Sequence, residues 1–295
     1  MSKNRISGPY KSPPFSNFKS CPLALRQKPN GKYRLLHNLS YPYDDKSVNL
    51  NILDKNSKVE FSSIYNALDI VKDSRGRYLA KADITDAFRL IPIHHTDYHL
   101  LGFCFKQSFY YDKCLPMGCS SACKILKVSD SLVFIMKNHF GIRKVIKYLD
   151  DFLFIADTHM ECLKALQSFE QMCGMLNIPI AAHKTVHPCT ELTFLGYQID
   201  SVRMLVSIPK EKIDSSSVDI RKLMETSSTT LREIKSLIGK LQFVVNVITA
   251  GRCFIRRLIN LTVGKRHPAQ RIIIDETIYV VEFFQKLQWE KSHSA

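Results

Sequence analysis

Three carboxylates are the residues of this chain best placed to do chemistry. Asp150 and Asp151 are adjacent, within Val145-Ile146-Lys147-Tyr148-Leu149-Asp150-Asp151-Phe152-Leu153-Phe154-Ile155. An apolar, β-prone run enters, two carboxylates sit at its centre and a second apolar run leaves, which predicts a tight hairpin with both Asp at its tip. Adjacent Asp are poor strand residues and costly near a core unless a positive charge neutralises them, as a divalent metal would. A plain polar turn between two strands is the alternative that the tetrapeptide leaves open. Asp83 closes the apolar run from Tyr78, a carboxylate at a strand end, where ligand-binding residues often sit.

Other elements must position these groups. The strand ending at Asp83 runs into a short turn carrying Ala87 and Phe88. Apolar spacing predicts helices over 61–73, 159–176 and 231–245. Leu101 to Tyr111 is strand-like and aromatic. Leu115-Pro116-Met117-Gly118-Cys119-Ser120-Ser121-Ala122 reads as a turn of small residues leading into a helix from about 120 to 138, open to close approach by a ligand or base pair. Residues 23–36 read as strand, Pro29-Asn30-Gly31 turn, strand; Lys28, Lys32 and Arg34 could reach a phosphate there, or simply be solvated. Residues 1–22 look like an extended lead-in. A strand pair is expected around 192–199, a basic helical region after Pro209, a basic linker over 263–271 and a last helix from Ile272 to Trp289.

The 295 residues can bury a real core. The net charge of +15 is uneven: residues 1–50 carry nine Lys/Arg and two Asp, 51–200 carry 17 basic and 16 acidic residues, and 201–295 carry 16 and nine. Basic flanks around a carboxylate-bearing centre suit a polyanion gripped on either side of an acidic site, and nucleic acid is the partner expected. Nine cysteines, an odd number without paired CxxC units, read as free thiols in a reducing compartment. The start lacks an apolar signal region and no run is long enough for a membrane span, so an intracellular, unsecreted chain without a membrane partner is expected.

In this order, the pieces resemble the polymerase domain of reverse transcriptases from about Leu23 to Leu261. Lys28 to Arg34 resembles the fingers hairpin, Ala82 to Phe88 the first catalytic motif, and Leu115-Pro116-Met117-Gly118 the template and nucleotide motif. Tyr148-Leu149-Asp150-Asp151 resembles the metal-binding hairpin, Lys184 the lysine of the fourth motif, and Phe194-Leu195-Gly196-Tyr197 the primer grip. The wording over 83–103, 115–122 and 184–200 is most similar to DIRS-like, tyrosine-recombinase-bearing retrotransposons.

The resemblance implies an α+β right-hand polymerase fold: fingers and palm over 23–200, a helical thumb over 201–262, then a linker and helix over 263–295. It implies an RNA-directed DNA polymerase that adds deoxynucleotides to a DNA primer on an RNA or DNA template by two-metal phosphoryl transfer. Two Mg²⁺ ions, with Mn²⁺ able to substitute, would be held by Asp83, Asp150, Asp151 and the carbonyl of Ile84. Lys184 would protonate the pyrophosphate. Lys28, Arg34, the amides of Asp86 and Ala87, Met117 and Gly118 would hold the nucleotide, and Phe88 would exclude a ribose 2′-OH. Phe194 to Tyr197 would position the primer end. Three departures stand out: Met117 where many relatives have Gln or Phe, Cys123 where they usually have Pro, and Leu36-His37-Asn38-Leu39-Ser40 where they usually carry Asp and then Arg. No RNase H-like carboxylate cluster follows residue 261, so template degradation is not expected of this chain. An RNA-dependent RNA polymerase, disfavoured by Phe88, and a non-catalytic nucleic-acid-binding remnant are the competing readings.

Overall fold

The apolar runs on either side of Leu149-Asp150 pair as β7 (Val145–Tyr148) and β8 (Asp151–Ala156), joined by a two-residue turn. β8 is buried from Phe152 onward because it is a central strand. Its sheet is four-stranded and antiparallel, in the order β7-β8-β4-β9, with β4 spanning Tyr78–Asp83 and β9 Val186–Cys189. Strand side chains alternate, so Phe152, Phe154, Ala80 and Ala82 join one core with Cys162, Leu166, Phe169 and Cys173 of α5 (His159–Met175). The Phe169 ring lies 4.5 Å from Phe152 and 5.3 Å from Phe154. Each such ring stabilises the fold by about 1.5–3 kcal/mol relative to leaving it exposed. A capping box starts α5: Glu161 N donates to Thr158 Oγ1, and Thr158 N to Glu161 Oε2, both at 3.2 Å.

The computed structural model describes residues 5–28, 31–73, 76–226, 228–248 and 251–273. Within it the chain forms two compact units, Met1–Leu192 and Thr193–Ala295, so the division expected after residue 200 falls inside the second.

Several expected elements of the first unit change. Within the extended lead-in, Ile6–Tyr10 is a strand, β1, paired with β6 (Ser108–Asp112). The aromatic segment 101–111 is a hairpin of β5 (Gly102–Phe105) and β6, turning at Lys106 and Gln107. Both turn residues have positive φ (48° and 60°), as a type I′ turn requires. β2 (Leu23–Gln27) and β3 (Tyr33–His37) form a separate ribbon; Pro29 and Asn30 of its expected turn lie outside the described residues. After a single helical turn, α1 (Asp54–Ser57), the helix expected over 61–73 is only α2 (Ile64–Val71), started by a Ser63/Asn66 capping box. The helix expected over 120–138 is broken into α3 (Ala122–Leu126), a 3₁₀ turn at Lys127–Ser129 and α4 (Asp130–Asn138). All nine cysteines are free.

At the division, β10 (Glu191–Phe194), β11 (Tyr197–Asp200) and β12 (Leu205–Ser207) form a three-stranded sheet. The second unit continues with α6 (Lys210–Met224), α7 (Leu231–Val245) and α8 (Arg252–Thr262). α7 buries Leu231, Ile234, Leu237, Ile238, Leu241, Val244 and Val245, the single face its sequence period predicts. β13 (Ser228–Thr230) pairs with β14 (Arg271–Ile273), so the helix expected from Ile272 starts as strand, and its remainder lies outside the described residues.

Candidate active site

Asp83 is the last residue of β4 and Asp151 the first of β8, and the strand register sets them directly opposite each other. Asp150 occupies the turn between β7 and β8. The amide of Ile84 donates to the carbonyl of Asp150 at 3.0 Å, tying the turn to the end of β4. Hence only Asp150 is at the hairpin tip; Asp151 already belongs to the strand. The turn is strained, since Leu149 has φ 55°, a conformation that costs a bulky residue on the order of 1–3 kcal/mol. Its surroundings hold it there. Ser129 Oγ lies 3.3 Å from the Leu149 carbonyl, Lys147 Nζ donates to Ser129 Oγ at 2.7 Å, and Lys147 also pairs with Asp130 at 2.6 Å. The Phe61 ring packs 5.2 Å from that of Tyr148.

Electrostatics set this turn apart. Burial and the nearby Asp83 charge raise the Asp150 carboxyl above its ordinary value, with Lys184 and Arg34 pulling the other way. Burial, a hydrogen bond to Asp83 and the charges of Asp83 and Asp150 raise Asp151 to about 6, against the pull of Lys81. Lys184 ends a 3₁₀ turn (Ala182–Lys184), and its Nζ meets Asp83 Oδ2 at 2.8 Å. Burial works against its charge, but the bond to Asp83 and the fields of all three Asp outweigh this and raise its pKa. Among the described residues, no three His, Cys, Asp or Glu side chains already stand together as a metal site. The donor chemistry nevertheless suits a divalent cation, because hard carboxylate oxygens crowd one place with too little positive charge to balance them. The carbonyl of Ile84 accepts none of the bonds that tie its neighbours, which run from Ala181 N to Asp83 O and from Thr85 N to Pro179 O.

The residues expected around a nucleotide divide. Arg34, on exposed β3, is near enough for its charge to act on Asp150. Lys28 stands at the end of the ribbon, where its amide donates to the Lys32 carbonyl. Asp86 is left-handed (φ 51°) and starts the 3₁₀ turn Ala87–Leu90, in which Ala87 is buried and Phe88 packs half-buried against the main core. The Met117 carbonyl accepts from His37 N at 2.8 Å. Gly118 sits at φ 123° with His37 O where a Cβ would go, so only glycine fits. The departing His37 is therefore the backbone neighbour of the 117–118 loop. Its buried ring faces Asp112 Oδ2 at 3.3 Å and the Gly102 carbonyl at 3.1 Å. Cys123 lies in the first turn of α3, which starts without proline, and burial together with the Asp150 charge pushes its thiol up.

In the second unit, the expected primer-binding residues are not alike. Phe194 and Tyr197 are buried, while Leu195 and Gly196 form a half-exposed turn between β10 and β11. Tyr197 stacks on Phe243 (centroids 4.1 Å apart) and its hydroxyl donates to the Phe243 carbonyl at 3.1 Å. Lys212 Nζ sits 3.8 Å from the centroid of Phe243 and 3.4 Å from the Gly196 carbonyl. Arg252, Arg256 and Arg257 are exposed on α8.

Sequence reasoning passed over Lys81, Ser129, Lys147, Asp112 and Lys212. Only Lys81 left a readable signal, being two residues before Asp83 and so on the same strand face.

Residues 26–199 match the family model described as reverse transcriptase (RNA-dependent DNA polymerase). The chain is 26% identical over 223 residues to the Pro-Pol polyprotein of feline foamy virus, which covers 75% of this chain and 17% of that protein. It is 23% identical over 264 residues to the Gag-Pro-Pol polyprotein of human T-cell leukemia virus 2, covering 86% of this chain and again 17% of the relative. The solved foamy viral protease-reverse transcriptase in complex with dsDNA aligns over 90% of this chain and 52% of its own, with a TM-score of 0.64 at 20% identity. The same protein in complex with RNA/DNA hybrid aligns over 91% and 33%, with a TM-score of 0.64 at 18% identity. At such identity these structures bear on the fold alone, and that fold is the α+β polymerase fold. Among the described residues, no helix is long and apolar enough to cross a membrane.

Proposed function

This chain belongs to the reverse transcriptase (RNA-dependent DNA polymerase) family, and we propose that it extends a DNA primer with deoxynucleotides on an RNA or DNA template. The observation that carries this reading is the strained hairpin that presents Asp150 and Asp151 beside Asp83, with both Asp150 and Asp151 raised by burial and by the neighbouring carboxylates. Asp83, Asp150, Asp151 and the Ile84 carbonyl would hold Mg²⁺ or Mn²⁺, which supplies activation of the primer hydroxyl and charge stabilisation on the leaving pyrophosphate.

The chain's own residues do the rest. Lys184 keeps a proton on Nζ at 2.8 Å from Asp83 and gives it to the pyrophosphate. Arg34 and Lys28 bind the triphosphate, with the amides of Asp86 and Ala87 beneath it. Met117 and Gly118 would line the base pair, while the space left by the missing Cβ of Gly118 is taken by the His37 carbonyl. Phe88, backed by the core, is too large to admit a 2′-OH. Primer contact falls to the Leu195-Gly196 turn, since Phe194 and Tyr197 are spent on packing. The exposed arginines of α8 meet phosphates, a contact blind to sequence and sensitive to salt. Fingers, palm and thumb take the boundaries given above. A retroelement, an intracellular location and the DIRS-like subfamily complete the reading; the last rests on the wording of 83–103, 115–122 and 184–200.

Single-nucleotide extension on an RNA template tests this. Wild type should incorporate with Mg²⁺, and Asp150→Asn should lose ~10³-fold or more of the rate while still binding duplex. A wild type that binds duplex yet never extends, across metals and salt, would make the chain a non-catalytic nucleic-acid binder instead.

A further inference from the structure

The turn that carries Phe88 is gripped at both ends by ion pairs. Arg89 Nη2 meets Asp112 Oδ1 at 2.5 Å. At the other end, Asp86 Oδ2 meets Arg5 Nη1 at 2.9 Å. Asp86 is left-handed, a conformation that Asp adopts more readily than most side chains but that an outside contact can still fix in place. Arg5 lies outside the segment matching the family, 26–199, and comes from the part of the chain expected to be an extended lead-in.

Arg5 is delivered by pairing. Ile6 stands opposite Asp112 in the β1–β6 register, and Lys113 N donates to the Arg5 carbonyl at 2.8 Å. Gly8, at φ 128°, lets β1 lie flat on β6, since a Cβ there would come 2.6 Å from Tyr110 Cδ1 and 2.7 Å from the Phe109 carbonyl. One sheet thus supplies both grips, Arg5 just before its edge strand β1 and Asp112 at the end of its central strand β6.

We propose that Arg5 is a positioning residue of the nucleotide site: by holding the Asp86 carboxylate it keeps the left-handed turn, and so the amides of Asp86 and Ala87 and the ring of Phe88, in nucleotide-ready form. The proposal rests on the polymerase reading. Losing Arg5 would let the turn sample other shapes, which weakens nucleotide binding more than the chemical step.

Arg5→Gln is the test, read by amide hydrogen exchange across 85–90 and by steady-state extension. The expected result is faster exchange confined to 85–90, a KM for deoxynucleotide raised roughly two- to fivefold, the range an exposed ion pair commands, and a nearly unchanged kcat. Arg5→Lys should recover most of both. Unchanged exchange and KM in Arg5→Gln would overturn the proposal, and so would a rise shared equally with residues 6–10, which would mean that the strand, not the side chain, acts. If wild type incorporates nothing, the polymerase reading fails, and exchange over 85–90 still decides whether Arg5 holds the turn.

Discussion

Two groups of buried charge lie within the first unit, and they are built in opposite ways. In one, signs alternate: Arg89, then Asp112, then His37. Burial works against a charge on His37, but its hydrogen bonds to Asp112 and Cys21, the Asp112 charge and its bond to the Gly102 carbonyl outweigh it and raise the imidazole to about 9. Both ring nitrogens face acceptors, Asp112 Oδ2 and the Gly102 carbonyl, an arrangement that favours a proton on each. In the other group, Asp83, Asp150 and Asp151 repel each other, with Lys184 and Lys81 too few to balance them. Nature and number of partners decide what each group is for. The first completes itself and holds segments together; the second is short of positive charge, so a divalent cation would neutralise it.

The contrast can be broken most forcefully by Asp112→Ala. It strands the buried His37 and the half-buried Arg89 and should cost about 3–5 kcal/mol in denaturant unfolding; a loss under 1 kcal/mol would deny that the cluster is structural. The same cluster predicts a pH trend. His37 has a folded pKa of about 9 against an ordinary 6.5, so its contribution, on the order of 3 kcal/mol, is complete below pH 6.5. It is lost as pH rises through 9. A thermal midpoint that falls over this window in wild type but stays flat in His37→Gln is the expected outcome. Phe88 sits between the groups, five residues after Asp83 and one before Arg89. Phe88→Ala should narrow discrimination against ribonucleotides by about 1–3 kcal/mol, measured as the ratio of kcat/KM values; an unchanged ratio removes its gating role. The smallest effect carries the opposite sign to the first. Asp151→Asn relieves repulsion, so the metal-free protein at pH 8 should gain up to ~1 kcal/mol, whereas a loss of several would mean that the acidic turn is itself structural.

How much of this was legible in the sequence follows from distance along the chain. Asp150-Asp151 could be read because they are adjacent and framed by strand-forming runs, and Asp83 because it closes one. Lys184 carried no local signal and was reached only through the family resemblance. The grips of Arg5 on Asp86 and of Asp112 on His37 join residues 81 and 75 positions apart, and nothing local marks either. The break in the 120–138 helix escaped for the same reason. Its apolar pattern continues, but Ser129 Oγ is occupied by the Leu126 carbonyl at 2.7 Å and approaches Leu149 in a distant hairpin. Helices α5 and α7, whose apolar period and capping boxes are both local, were legible almost to their ends.

The central claim is that the acidic turn takes divalent cations. Electron paramagnetic resonance of Mn²⁺ counts them directly in a complex of the chain with template, dideoxy-terminated primer and incoming nucleotide, where no turnover occurs. Wild type should hold two Mn²⁺ per complex with the acidic turn, one of them shared with the nucleotide's triphosphate, and Asp83→Asn should hold fewer. Equal occupancy in the two proteins, or none above background in wild type, would contradict the account.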